Sequence, residues 1–258
     1  MVLRIGILSG KGGVAKTTSA INLAYAFSYF KSDVTLVDAN FFTPNVGIFL
    51  GVTRTRVALQ DVLRKKRNIT QAVYMHSSGV KIVPSSISNI NLSDDQIDYL
   101  HNVLFGLDGL TEYIILDSPP GLGLEAQSVI KASDQIIIVV NANLPSLTDA
   151  LKTIKVAQSK AKKILGVIVT RMHDDNTELK IKNIETMLEY PILGIIPEDP
   201  KVRESLLNKQ IITKENPTSR VAIEYKKIAS KILKEQYSES PDEERFSYKF
   251  LKKLGIKK

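Results

Sequence analysis

The chain has 258 residues, no cysteine and three histidines, and 35 Lys and Arg against 27 Asp and Glu give it a net charge of +8. The missing cysteines exclude disulfides and cysteine-ligated metal clusters, and His76, His101 and His173 are too widely spaced in sequence to suggest a metal set. This length can bury one large core. The basic balance favours anionic partners (a nucleotide, a lipid headgroup, nucleic acid) without choosing among them.

The chain opens on an apolar run, Val2–Ser9, that reads as a buried strand. This opening predicts no signal peptide, and no apolar run is long enough to span a bilayer, so the expected location is cytoplasmic. Next comes Ser9-Gly10-Lys11-Gly12-Gly13-Val14-Ala15-Lys16-Thr17-Thr18, and then helical spacing over Lys16–Phe30. A Gly-rich turn between strand and helix points backbone N–H groups into one hollow at the positive end of the helix, which binds phosphate. Lys16 is placed to reach the β- and γ-phosphates, and the Thr17 hydroxyl to bind Mg²⁺.

Further strands are expected at Val34–Val37, Val80–Pro84, Tyr113–Asp117, Gln135–Val140, Ile164–Thr170 and Ile192–Ile196. Helices are expected at Ser93–Phe105, Leu124–Ala132, Leu147–Ser159, Glu178–Glu189, Val202–Asn208 and Ser219–Glu235. The alternation predicts an α/β fold: a doubly wound, mostly parallel sheet of about seven to eight strands with helices on both faces. Ligands of such sheets sit at the carboxyl ends of the strands. There Asp38 is placed to meet the γ-phosphate, its Mg²⁺ or the attacking water, with Asn40 beside it. Asp117 closes an apolar strand in the Walker B manner, as a Mg²⁺ ligand.

The loop Lys11-Gly12-Gly13-Val14-Ala15-Lys16-Thr17-Thr18, the stretch Asp38 to Pro44-Asn45 and Asp117-Ser118-Pro119-Pro120-Gly121 resemble the MinD/ParA family of deviant Walker A ATPases. The resemblance covers residues 1 to about 235. It implies ATP and Mg²⁺ as cofactors, with the phosphates cradled by Gly10 to Thr18. It also implies an ATP-bound homodimer in which Lys11 crosses to the partner's nucleotide. Arg171 and Pro197-Glu198-Asp199 resemble the family's adenine pocket, and Pro145 to Asp149 a region near its dimer face. Three positions depart from the pattern. Ala15 stands where glycine is usual, Asn40 replaces a second aspartate, and Thr170 replaces an asparagine that faces the base. They predict slow hydrolysis and a less secure preference for adenine over guanine. Iron–sulfur carriers of the related Mrp type are excluded by the absence of cysteine.

After the expected ATPase domain (residues 1–237), residues 238–244 read as a polar linker and 245–258 as a basic amphipathic helix with six basic and no acidic side chains. At about 100° per residue Phe246, Phe250, Leu251 and Leu254 share one arc, the pattern of a helix lying on an anionic membrane. The expected protein is therefore a MinD-like ATPase, peripheral at the inner face of the cell membrane. It would act as a spatial regulator in cell division or in positioning a cellular assembly, with an activating or cargo protein as partner. A ParA-like DNA-partitioning ATPase and an ATP-binding scaffold are the alternatives. The basic cluster Arg54, Arg56, Arg64, Lys65, Lys66 and Arg67 has no interleaved aromatics for base stacking, which makes nucleic acid the weaker candidate.

Overall fold

A computed structural model describes residues 2–53, 55–88, 91–173 and 179–239. Arg54, the start of the helix expected at Glu178, most of the linker and the whole amphipathic tail with Phe246, Phe250, Leu251 and Leu254 lie outside the described residues. Eight strands form one sheet: β1 (Leu3–Leu8), β2 (Val34–Asp38), β3 (Tyr74–Met75), β4 (Lys81–Val83), β5 (Tyr113–Asp117), β6 (Gln135–Asn141), β7 (Lys163–Met172) and β8 (Ile192–Pro197). Their order is β3-β4-β2-β5-β1-β6-β7-β8. The β3–β4 pair is antiparallel and the other pairs are parallel.

The strands are mostly apolar because both faces of the sheet are covered. Successive residues alternate between the two cores. Ile5, Ile7, Ile115, Ile137 and Val139 pack against the face that carries α1 (Lys16–Tyr29) and the helix Arg220–Leu233. Ile114, Leu116, Ile136, Ile138 and Val140 pack against the other, under Leu124–Ala132 and Leu144–Ser159. Among the described helices none is long and apolar enough to cross a membrane.

The expected strands are present, and the structure adds the short edge strand β3. Two residues of Tyr74–Met75 are too few to show an alternation in sequence. The helix expected from Leu147 begins at Leu144, because Asn143 caps it and Pro145 fits its first turn, where no N–H is needed. The helix expected over Ser93–Phe105 is broken at Tyr99 and ends in a 3₁₀ turn, Phe105–Leu107. Short helices at Val46–Phe49, Leu59–Leu63 and Ile212–Glu215 have four or five residues each, below the length at which periodicity is readable.

β1 lies between β5 and β6; the chain winds to one side of it through β2, β3, β4 and β5 and then crosses to the other side through β6, β7 and β8, so the strand order reverses beside β1 and opens a crevice at its carboxyl end. The Gly-rich loop fills that position.

Candidate functional site

The loop from Ser9 to Ala15 is held at several points. Gly10 packs so closely on the helix Leu144–Ser159 that a Cβ there would lie 2.4 Å from the Asp149 carbonyl carbon and oxygen. The Ser9 hydroxyl donates to Lys11 O (3.0 Å), and the Gly121 N–H donates to Ser9 O (3.1 Å). The Thr170 hydroxyl donates to Val14 O (2.8 Å). Gly13 and Ala15 both take left-handed backbone, with φ of 80° and 59°. The loop thus adopts its turn despite the Ala15 methyl, at a cost on the order of 1 kcal/mol.

α1 begins without a side-chain cap and with no acidic residue in its first turn. The helices Leu144–Ser159, Pro200–Leu207 and Arg220–Leu233 are instead capped by Asn143, Asp199 and Ser219. The N–H groups opening α1 are therefore left for an external anion. A cavity of about 290 Å³ lies over them, lined by Lys11 to Thr18 and by Asn40, Thr43, Asn45, Pro120 and Arg171.

The two lysines of the loop are disposed differently. Lys16 is buried, and its ammonium meets Asp117 Oδ1 at 3.1 Å and the Ser118 carbonyl. Lys11 stands at the loop mouth, its Nζ 3.4 Å from Asn143 Oδ1, a long contact. The Thr17 hydroxyl donates to Asp117 Oδ2 at 2.6 Å. Two hard oxygens side by side at a strand end suit Mg²⁺, and the Lys16 ammonium already supplies positive charge there. Thr17 and Asp117 fit such a cation. Among the described residues no cluster of three or more His, Cys, Asp and Glu side chains could hold a metal by itself.

Asp38 and Asp117 are register partners at the ends of β2 and β5, and both are fully buried. The Asp38 carboxylate accepts N–H groups from Asn40 (3.2 Å), Asn45 (3.1 Å) and Val46 (3.0 Å). Burial and the neighbouring Asp117 charge push its pKa well above the usual carboxylate range, against the pull of these donors and of Lys16. The Asn40 amide donates to Thr43 O (2.6 Å) and accepts from the Thr43 hydroxyl (3.0 Å). Asn40 thus lines the phosphate cavity, while Asp38, fully buried and not among the lining residues, organises the turn over residues 40–46.

A second cavity, of about 400 Å³, shares Ala15, Thr18 and Arg171 with the first and extends to Pro197, Glu198, Asp199, Arg203 and Tyr225. It includes the residues expected to hold the base. Arg171 reaches it through a left-handed backbone (φ 54°) and approaches Glu198 at 3.8 Å. Asp199 caps the helix Pro200–Leu207, accepting the Lys201 N–H at 2.9 Å. Thr170 faces this cavity but spends its hydroxyl on Val14.

Residues unseen in the sequence also shape the site. Asn143 caps its helix and meets Lys11. Tyr225 lines the base cavity from the far end of the chain and bonds Ser19 at 3.0 Å. Burial raises its phenol pKa. A helical stripe marks such a tyrosine as core, and nothing local signals that it reaches the site.

The family model described as ParA, NUBPL iron-transfer P-loop NTPase, matches residues 2–233. The chain belongs to the ParA family of P-loop NTPases. It is 36% identical over 256 residues to an uncharacterized ATP-binding protein of Methanocaldococcus jannaschii, covering 98% of this chain and 97% of that protein. Among solved structures it is similar to the cell division ATPase MinD of Pyrococcus furiosus, with a TM-score of 0.84 and 31% identity, covering 91% of this chain and 99% of that one. It is equally similar to the septum site-determining protein MinD of Pyrococcus horikoshii complexed with Mg-ADP, with a TM-score of 0.84 and 30% identity over 90% and 96% of the two chains. The iron transfer in the family description has no thiolate chemistry to rest on here, because this chain has no cysteine.

Proposed function

We propose that this chain is a nucleotide-dependent spatial regulator of the MinD kind. It binds ATP with Mg²⁺, pairs with a second copy in that state, and attaches reversibly to an anionic membrane through residues 245–258. The cargo is the division machinery or another cellular assembly. The observation that carries the reading is the contrast between the two loop lysines: Lys16 is buried on its own Asp117, while Lys11 stands outward at the mouth. The exposed apolar side chains Phe42, Leu124 and Leu144 at the same end of the sheet support burial of this face by a second copy. The MinD of Pyrococcus horikoshii complexed with Mg-ADP supports the choice of nucleotide and metal.

The uncapped start of α1 and the loop N–H groups bind the phosphate oxygens. Lys16 leaves Asp117 and Ser118 for the β- and γ-phosphates. Thr17 and Asp117 hold Mg²⁺, which supplies charge neutralisation for phosphoryl transfer. Asn40 borders the space of the attacking water, and Asp38 organises the turn that carries it. The Asn40 amide takes up no proton and is engaged by Thr43, so hydrolysis is slow. Lys11 contributes to the nucleotide of the second copy, which makes association depend on the triphosphate.

Co-sedimentation with anionic liposomes, with ATP or ADP and with or without residues 245–258, tests this reading. Sedimentation that requires both ATP and the tail is expected. Sedimentation indifferent to nucleotide would remove the switch. None in any state would remove the membrane and favour DNA as the surface.

A further inference from the structure

We propose that Glu125 is a positioning residue for hydrolysis: it ties the turn that carries Asn40 to the helix that follows Asp117, so that triphosphate binding sets the position of Asn40. The inference rests on the nucleotide-switch reading above and names the contact that carries the switch from the phosphates to that turn.

Where β2 and β5 end, the Ala39 N–H donates to Asp117 O (2.9 Å) and holds the two strands together. Past this point the chain enters the turn over residues 40–46 on one side and the loop 118–123 on the other. The first turn of the helix Leu124–Ala132 bridges them. Glu125, half-buried there, accepts the Phe41 N–H at 2.9 Å. Burial raises its pKa, and the N–H groups of Phe41 and Phe42 pull it back, so both amides favour the ionised carboxylate. The Phe41 carbonyl accepts from Gln60 Nε2 (3.0 Å), and the Phe41 ring is fully buried. Asn40, which lines the phosphate cavity, therefore stands between Asp38 and a residue held on both sides of its backbone.

The same helix is linked to the phosphate loop. Lys16 donates to Asp117 and to Ser118 O, the Gly121 N–H donates to Ser9 O (3.1 Å), and Pro120 lines the phosphate cavity. Gly121 takes left-handed backbone (φ 82°), and Gly123 opens the helix with no side chain to cap it. When Lys16 leaves Asp117 and Ser118 for the phosphates, this loop loses two contacts and its glycines let it shift. The start of the helix shifts with it and carries Glu125, and Glu125 carries Phe41. Phe42 and Leu124, the exposed neighbours of the bonded pair, follow. One contact thus sets both the position of Asn40 and part of the apolar face that a second copy covers.

The test compares Glu125→Ala and Glu125→Gln with the wild type, all full-length, by steady-state ATP hydrolysis and by hydrogen exchange. For Glu125→Ala, kcat should fall about ten- to a hundredfold while KM for ATP stays within about twofold, the mark of an interaction felt in the transition state alone. Glu125→Gln keeps an acceptor oxygen for the same N–H and should recover kcat to within about threefold of the wild type. An unchanged kcat in Glu125→Ala, or a Gln variant as slow as the Ala variant, would overturn the inference. Exchange at the Phe41 and Phe42 amides requires binding but no turnover. It should be slower with ATP than with ADP in the wild type, and the same with both in Glu125→Ala. Protection by ATP that survives in Glu125→Ala would overturn the inference too, because the turn would then take its signal through another contact. A wild-type protein that binds no ATP would instead overturn the nucleotide reading beneath it.

Discussion

Asp38 and Asp117 face each other in register on adjacent parallel strands, equally buried, yet they serve different partners. Asp117 holds two side chains of the loop, Lys16 and Thr17, whereas Asp38 holds three backbone N–H groups of residues 40–46. Replacing Asp38 with Ala strands those donors, at a cost on the order of 3 kcal/mol. The expected outcome is a lower urea midpoint, with faster proteolysis within residues 39–46 than elsewhere.

The two lysines of the loop separate stability from association. Lys11→Ala removes a side chain with one long contact and should change stability by less than about 0.5 kcal/mol. It should abolish ATP-dependent self-association, read by light scattering after size exclusion. Lys16→Met leaves the Asp117 carboxylate buried without its ion pair, at a cost of about 3–5 kcal/mol. Equal losses of stability in the two variants would contradict the geometry.

Ala15 occupies left-handed backbone that favours glycine. Ala15→Gly relieves that strain but adds freedom to the unfolded chain, so a net gain of up to about 1 kcal/mol is expected. Thermal melting checks it, and a clear loss of stability would mean that the methyl packs favourably.

At Gly10 the constraint is space. Gly10→Ala drives a Cβ against the Asp149 backbone and must separate the loop from the helix Leu144–Ser159. A destabilisation of about 1–3 kcal/mol is expected, with weaker nucleotide binding. Unchanged affinity would show that the loop does not depend on that helix.

Burial, together with the positive charge of Arg4, Lys162 and Lys131, lowers the pKa of His101, whose buried Nδ1 has no hydrogen-bond partner. The folded state then binds fewer protons there than the unfolded one. Stability contributed by neutral His101 is present above the unfolded value, near 6.5, and is lost as pH falls toward the lower folded value. His101→Gln should narrow the gap in Tm between pH 7.5 and pH 5.5.

Some of the site was readable because its signals are local. Gly10 to Thr18 are contiguous, and a strand, a Gly-rich turn and a helix in that order leave few other geometries. Asp38 and Asp117 each end an apolar run, so strand position alone brought both to one edge. Asn143 and Tyr225 were not readable, because a capping asparagine and a core tyrosine look the same wherever they occur.

Thr170 marks the boundary between the two kinds of information. From the sequence it is a hydroxyl at the end of a strand that faces the base. In the fold that hydroxyl belongs to Val14, 156 residues away, because β7 and the phosphate loop end at the same level of the sheet. Apolar periodicity and turn chemistry act between near neighbours, so the sequence by itself determined the strands, the loop and the family. Which partner each polar group takes depends on contacts between distant segments. The division of labour between Lys11 and Lys16, the two uses of Asp38 and Asp117 and the commitment of Thr170 were therefore decided by the tertiary structure.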